Sequence, residues 1–189
     1  MGYAGGSKAD PTYRSLGDHT ESIQIEFDPQ RISFDELLQI FWSMHNPTSR
    51  SWFTQYKTIL FVQNDEQFAA AQRSKAALEE ALGHKVRTEI RQLDRFYQAE
   101  DYHQKYKLQQ DSALMGQISD KYQTVQQFVD STLAARLNGY VGGNGSTVTA
   151  QREIELYDLS PAARARLESI LGMQIAPQPN VCPVSGVGH

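Results

Sequence analysis

Glu21 is the residue whose chemistry depends most on its surroundings. It follows the polar run Gly17-Asp18-His19-Thr20 and opens a segment in which apolar and polar residues alternate. A carboxylic acid serves as a proton donor near neutral pH only if burial raises its pKa. The residue pattern alone favours the ordinary alternative, a solvated glutamate at the start of a strand. Glu21 is therefore a candidate general acid whose role depends on its burial.

Two tyrosines are candidate hydrogen-bond donors. Tyr13 follows Pro-Thr, and Tyr56 follows Thr-Gln. A phenol aimed at an oxygen atom stabilises the negative charge that develops there during a reaction. The pattern by itself also fits a packing role for Tyr56, because a tyrosine at a strand edge is commonly half-buried.

Glu100, Asp101 and His103 are crowded into residues 99–106. Carboxylates beside a histidine can bind a metal ion, but the spacing is not His-Glu-x-x-His and only one histidine is present. We therefore predict a structural hydrogen-bonding cluster and no metal. The other histidines are isolated, and we expect them at the surface or in local hydrogen bonds: His19, His45, His84 and His189.

Cys182 is the only cysteine in the sequence. One cysteine cannot form an intramolecular disulfide or a thiolate-rich zinc site. A free thiol is typical of a reducing compartment. Composition alone is compatible with an incidental thiol on a tail rich in proline and glycine.

The composition excludes several classes of protein. The chain has 189 residues, 40% of them hydrophobic, and a formal net charge of −4. A net negative charge does not favour electrostatic binding to nucleic acid or to an anionic membrane surface. No apolar run has the length of a membrane span, and the N-terminus does not have the pattern of a signal peptide. We therefore predict a cytoplasmic protein with no nucleic-acid or membrane partner.

Hydrophobic periodicity and capping residues predict an α+β fold, in which helices flank a small mixed sheet as a two-layer sandwich. Ser33 and Glu36 form a capping-box pattern, and Gly83 is placed to end a helix. The predicted elements are a loop over 1–20, strands at 21–28, 57–63 and 86–91, and helices at 34–44, 65–82, 119–137 and 161–171, with a short polar helix or turn at 99–108.

Six short blocks occur in an order that resembles the A-type peptide methionine sulfoxide reductases. They are Gly2-Tyr3-Ala4-Gly5-Gly6, Pro11-Thr12-Tyr13, His19-Thr20-Glu21, Phe41-Trp42 with His45-Asn46-Pro47-Thr48, Thr54-Gln55-Tyr56, and Ala99-Glu100-Asp101-Tyr102-His103-Gln104-Lys105-Tyr106. Each block is a weak signal alone, and the ordered set is specific. Residues 109–172 resemble only a longer-tailed subgroup.

The resemblance implies thiol-dependent reduction of the S-epimer of methionine sulfoxide, free or in proteins, with no bound cofactor. It implies that Glu21 protonates the sulfoxide oxygen and that Tyr13 and Tyr56 donate hydrogen bonds to it. Tyr140 resembles a further tyrosine of the pocket. The cluster of Glu100, Asp101 and His103 is expected to support that pocket.

The resemblance also implies a nucleophilic cysteine in a Gly-Cys-Phe-Trp segment upstream of these blocks, and no residue here occupies that position. We therefore expect a truncated form without the first strand and helix, with little activity of its own. The alternative is a non-catalytic relative that acts as a binding or interaction module. Cys182 resembles a resolving cysteine, which attacks the sulfenic acid of the nucleophile before thioredoxin or another dithiol reduces the disulfide.

Three regions are predicted from these patterns. Residues 1–108 are expected to form the reductase-like domain, with the ferredoxin-like core that the resemblance implies. Residues 109–172 are expected to form a helical extension, and residues 173–189 a mobile tail that carries Cys182. We expect a monomer.

Overall fold

The computed structural model describes residues 1–49 and 51–172 and divides the chain into two compact units. The first unit is Met1–Gln104, and the second begins at Lys105. The sequence pattern places this boundary after residue 108. Among the described residues, no helix is both long enough and apolar enough to cross a bilayer.

The strands of the first unit form two small sheets. In one, β1 (Gly2–Ala4) lies between β2 (Thr20–Ser22) and β5 (Phe96–Gln98), and both pairings are antiparallel. In the other, β3 (Ile59–Val62) pairs in parallel with β4 (Glu89–Gln92). Together with the helices described below, these sheets confirm the predicted α+β class.

The predicted strand at 21–28 is wrong for most of its length. β1 has three residues and offers β2 partners at three positions only. In the described part of the chain, residues 23–28 have no strand partner, and the side chains of Ile23 and Ile25 are 66% and 56% exposed. The predicted loop over 1–20 is also corrected, because it contains β1. The predicted strand at 86–91 is shifted, since β4 begins at Glu89.

Local capping sets the ends of the first two helices, as predicted for Ser33 and Gly83. Helix α1 (Phe34–Ser43) begins with a capping box, in which the backbone N–H of Glu36 donates to Ser33 and the backbone N–H of Ser33 donates to the Glu36 carboxylate. Helix α2 (Asp65–Leu82) begins after Asn64 and ends at Gly83, whose φ of +65° is the left-handed conformation that favours glycine.

The two helices pack on the parallel strand pair. The buried core of this region consists of Leu38, Trp42, Val62, Ala70, Ala71 and Val86. Trp42 also donates its indole N–H to the hydroxyl of Ser74 at 2.8 Å, so this buried polar atom is satisfied.

Two glycines allow the chain to leave β1 in a crowded place. Gly5 has φ +81°, and a Cβ there would lie 2.6 Å from the ring of Phe61. A Cβ on Gly6 would lie 2.6 Å from the backbone nitrogen of His19. Neither position tolerates a side chain without a shift of its neighbours, so the Gly-Gly pair brings β1 close to β3 and to the loop before β2.

The second unit is helical in its described part. Its helices are α3 (Tyr106–Gln109), α4 (Ser112–Ile118), α5 (Val125–Asp130), α6 (Thr132–Val141), α7 (Thr147–Ile154) and α8 (Pro161–Ile170). Their buried side chains form one core: Leu108, Leu114, Ile118, Ala134, Leu137, Tyr140, Ala150, Ile154, Ala163 and Leu167.

The single helix predicted at 119–137 is wrong. The side chains of Thr124 and Ser131 each accept a hydrogen bond from a backbone N–H three residues on, and both residues have extended backbone angles. Each therefore acts as an N-cap and starts a new helix. Helix α7 was not predicted from the sequence. Helix α8 begins at Pro161, as predicted, and Ser160 is its N-cap.

Candidate active site

A largely apolar cavity of about 620 Å³ lies in the first unit. Its walls come from β2 and the segment after it, from one face of α1, and from β3, with apolar side chains such as Ile25, Phe41 and Leu60. Glu21, Gln55 and Tyr56 add polar groups to this lining. Ligand sites of this size are commonly apolar with a few converging polar groups, so this cavity is the candidate substrate site.

Strand pairing and one hydrogen bond position the Glu21 side chain. Glu21 lies opposite Tyr3 in the register of β1 and β2, and its carboxylate accepts a hydrogen bond from the Gln55 side chain at 2.5 Å. The neighbouring Thr20 hydroxyl donates to the carbonyl of Thr54 at 2.9 Å. These two bonds hold the turn Thr54–Tyr56 against β2, and Glu21 is half-buried between them.

Tyr56 reaches the same cavity from this turn. Its side chain is 58% exposed and lines the cavity beside Gln55. Its ring lies edge-on to that of Phe53, with centroids 6.5 Å apart. The structure thus brings Glu21 and Tyr56, two of the three predicted catalytic residues, to one cavity.

Tyr13 does not line this cavity and belongs to a neighbouring polar cluster. Its backbone N–H donates to Glu100 Oε1 at 3.0 Å, and its ring lies 4.8 Å from that of His103. The other oxygen of Glu100 accepts the hydroxyl hydrogen of Tyr3 at 2.6 Å. Because Tyr3 lies opposite Glu21 across the sheet, the Tyr13 cluster is connected to Glu21 through Glu100 and Tyr3.

The Tyr3–Glu100 hydrogen bond shifts both pKa values. It holds the pKa of the Glu100 carboxyl below its usual range, with help from the backbone N–H of Tyr13. Burial, and then the same carboxylate, raise the pKa of the Tyr3 phenol far above its ordinary value. Tyr3 therefore stays neutral and Glu100 stays ionised across the physiological range.

Asp101 and His103 take different positions in this region. Asp101 is exposed and begins the single turn Asp101–His103. His103 packs against the rings of Tyr13 and Tyr102, and its Nε2 is a buried atom with no hydrogen-bond partner among the described residues. Within residues 1–49 and 51–172, no group of three or more metal-ligating side chains is present.

Sequence reasoning missed four residues that hold this region together. Tyr3 and Gln55 act as described above. His19 is buried, accepts the Gly6 N–H at Nδ1 and donates from Nε2 to the Lys8 carbonyl. Gln104 is buried and donates to the carbonyls of Met1 and Ala99. Most of their partners are distant in sequence, and the membership of all four residues in the matching blocks was the only available signal.

Tyr140 belongs to the second unit. It is buried, and its hydroxyl donates to Glu153 at 2.5 Å, while the hydroxyl of Tyr157 donates to the same carboxylate oxygen at 2.9 Å. Burial, and then Glu153, raise the pKa of Tyr140 to about 12. Within its unit, Tyr140 therefore joins helices α6 and α7 through its hydrogen bond to the Glu153 side chain. The predicted resolving residue, Cys182, lies outside the described residues.

The Tyr3–Glu100 bond predicts a stability that depends on pH. Tyr3→Phe is expected to lower the free energy of unfolding by about 1–2 kcal/mol at neutral pH, since it removes a hydrogen bond to a charged group. A carboxyl with a lowered folded-state pKa stabilises the fold above its unfolded pKa, and this stabilisation disappears as the pH falls through the folded pKa. Urea unfolding of both proteins at neutral pH and near pH 3 measures the difference.

Tyr97→Phe is the matched control for this experiment. Tyr97 lies opposite Tyr3 on β5, but its hydroxyl accepts a hydrogen bond from Arg95 and does not donate one to a carboxylate. Any change that Tyr97→Phe makes in the free energy of unfolding should therefore persist near pH 3. A Tyr3→Phe deficit that is equally large at both pH values would contradict the role assigned to Glu100.

Comparison with known proteins identifies the class to which this fold and site belong. The model of the peptide methionine sulfoxide reductase family matches residues 1–137, which is well over half of the chain. The chain belongs to this family, and the resemblance read from the six sequence blocks is confirmed.

Individual relatives agree with this assignment. A peptide methionine sulfoxide reductase of Drosophila melanogaster is 39% identical over 170 residues, which cover 87% of this chain and 66% of the relative. Peptide methionine sulfoxide reductase A5 of Arabidopsis thaliana is 41% identical over 149 residues, covering 74% of this chain and 56% of the relative. The chain thus spans less than two thirds of the length of these relatives.

A solved structure supports the fold. The crystal structure of Mxr1 from Saccharomyces cerevisiae in its reduced form matches with a TM-score of 0.54 and 29% sequence identity. The match covers 58% of this chain and 68% of that chain.

Proposed function

We propose that the first unit binds the S-epimer of methionine sulfoxide, free or in proteins, and serves its reduction to methionine. The observation that carries this proposal is the shared cavity of Glu21 and Tyr56, in which Gln55 holds the Glu21 carboxylate. The apolar walls suit the thioether chain of the substrate, and the polar groups suit its oxygen. Family membership supports the same reaction.

The proposed chemistry assigns a separate role to each group. A thiolate attacks the sulfoxide sulfur while Glu21 donates a proton to the oxygen, and Tyr56 supplies a hydrogen bond as charge develops there. The sulfur–sulfur bond formed by this attack and the sulfur–oxygen bond of the substrate then break, the oxygen passes to the cysteine as a sulfenic acid, and methionine leaves. A second thiol then displaces water to form a disulfide, which an external dithiol such as thioredoxin reduces.

The attacking thiolate is the part of this scheme that the described residues do not supply. The only cysteine of the 189 residues is Cys182, to which we assign the resolving role. The single cysteine also favours a second candidate function, in which the chain binds methionine sulfoxide or a partner protein without turnover. In either case we propose a monomer in a reducing compartment such as the cytoplasm, where a free thiol persists.

Direct binding tests the proposal without requiring turnover. The purified chain is expected to bind the amide of N-acetyl-methionine S-sulfoxide more tightly than its R-epimer or the unoxidised methionine amide, as measured by isothermal titration calorimetry. Tyr56→Phe should weaken binding of the S-epimer by about 5- to 10-fold, because it removes one hydrogen bond to the oxygen.

Tyr102→Phe is the control, since Tyr102 is similarly exposed at 53% but does not line the cavity. It should bind like the parent. Equal affinity for the two epimers, or an equal loss in both variants, would contradict the proposed site.

A further inference from the structure

A second cavity adjoins the candidate active site. It has a volume of about 300 Å³ and lies at the start of the parallel strands β3 and β4. Its lining is polar, with hydroxyl groups from serine and threonine side chains and three charged residues, Lys57, Arg87 and Glu89. Lys57 and Thr58 line both this cavity and the larger one, so the two spaces share a wall.

Two cationic side chains and one carboxylate line this second cavity. Lys57 and Glu89 form an ion pair at 3.3 Å, which satisfies both groups. Within the described residues, no carboxylate lies within ion-pair distance of the Arg87 guanidinium. One unit of positive charge therefore remains, on a side chain whose planar fork suits a carboxylate.

Backbone contacts hold the walls of this cavity in place. The N–H of Arg87 donates to the carbonyl of Pro47 at 2.7 Å, and the N–H of Glu89 donates to the carbonyl of Thr58 at 3.2 Å. Between them, Thr88 is buried and its hydroxyl is bonded to His45 at 3.0 Å. Arg87 is thus anchored through its backbone while its side chain remains exposed and available.

We propose that this second cavity is a subsite for a carboxylate of the substrate, with Arg87 as its main ligand. The inference rests on the proposed function, because it places the sulfoxide group in the adjoining cavity beside Glu21 and Tyr56. The carboxylate has two chemical sources. It is the α-carboxylate of a free or C-terminal methionine sulfoxide, or the side chain of an acidic residue next to the sulfoxide in a polypeptide.

Calorimetry on the 189-residue chain tests this subsite with a matched pair of ligands. N-acetyl-methionine S-sulfoxide carries the carboxylate, and its amide does not. The acid is expected to bind about tenfold more tightly than the amide at low ionic strength, with a smaller preference at high salt. A second pair, blocked peptides with S-sulfoxide followed by Asp or Asn, distinguishes a side-chain carboxylate from an α-carboxylate.

Three variants separate the role of Arg87 from general charge effects. Arg87→Gln should abolish the preference for the acid and leave binding of the amide unchanged. Arg73→Gln, which removes an exposed arginine of α2 outside both cavities, should keep the preference. Glu89→Gln should increase the preference, because it frees Lys57 from its ion pair.

The outcomes of these binding experiments distinguish failure of the subsite from failure of the proposed function. Equal binding of acid and amide, with Asp and Asn peptides also equal, overturns the subsite while the proposed function stands. A preference that survives Arg87→Gln also overturns it. Failure of every sulfoxide ligand to bind overturns both the subsite and the proposed function.

Discussion

The purified 189-residue chain is expected to reduce a methionine sulfoxide peptide at least about 10⁴-fold more slowly than a fusion in which a first strand and a helix that carry Gly-Cys-Phe-Trp precede Met1. Removal of an enzyme's nucleophile costs about 10⁶-fold in turnover, and the remaining groups retain only binding and charge stabilisation. The only cysteine of the chain is Cys182, and Glu21 and Tyr56 line a cavity to which no described residue contributes a thiol. Chromatographic assay of the methionine product, with dithiothreitol as reductant, measures both rates.

The fusion with serine in place of the new cysteine is the matched control, and it should be as slow as the chain itself. Cys182→Ser in the 189-residue chain should change nothing. Turnover by that chain at about 1 s⁻¹ or faster, abolished by Cys182→Ser, would contradict the expectation and make Cys182 the nucleophile. The active fusion also tests the resolving role, since one turnover without reductant should leave Cys182 in a disulfide detectable by mass spectrometry.

Glu21→Gln in the active fusion is expected to lower kcat by about 10²- to 10⁴-fold, the usual contribution of a positioned acid or base. The amide has the same shape as the acid but cannot donate a proton to the sulfoxide oxygen as the sulfur–oxygen bond breaks. Its oxygen can still accept the hydrogen bond of Gln55, so the side chain should keep its position. Steady-state kinetics should therefore show a large fall in kcat with little change in KM.

Glu26→Gln is the control for this substitution. Glu26 lies on the same segment, is exposed, and does not line the cavity. It should retain the parental kcat. A Glu21→Gln fusion that keeps a tenth or more of the parental kcat would show that another group protonates the oxygen, and Tyr56 would then be the next candidate.

Much of the local structure could be predicted because its causes are local. The helix ends at Ser33, Asn64, Gly83 and Ser160 follow from caps whose partners lie within a few residues. The apolar run of β3 is likewise visible in a short window. The same reasoning failed where it ignored capping, since Thr124 and Ser131 divide a region that was predicted as one helix.

The sheets could not be predicted in the same way, because a strand exists only where a partner strand lies beside it. The alternation of Ile23, Ile25 and Phe27 is typical of a strand, yet β2 ends at Ser22 with the last partner on β1. Conversely, β1 and β5 are three residues long and too short for periodicity to reveal them.

The sequence by itself determined the family and the candidate side chains, because the order and spacing of six short blocks can be recognised without any knowledge of contacts. Only the tertiary structure decided which of these side chains meet. Glu21 contacts Gln55, 34 residues away, and Tyr3 contacts Glu100, 97 residues away. Tyr13 joins the Glu100 cluster and not the cavity. Such contacts depend on the register of β1 between β2 and β5, which is set by packing over the whole unit and leaves no trace in a local window.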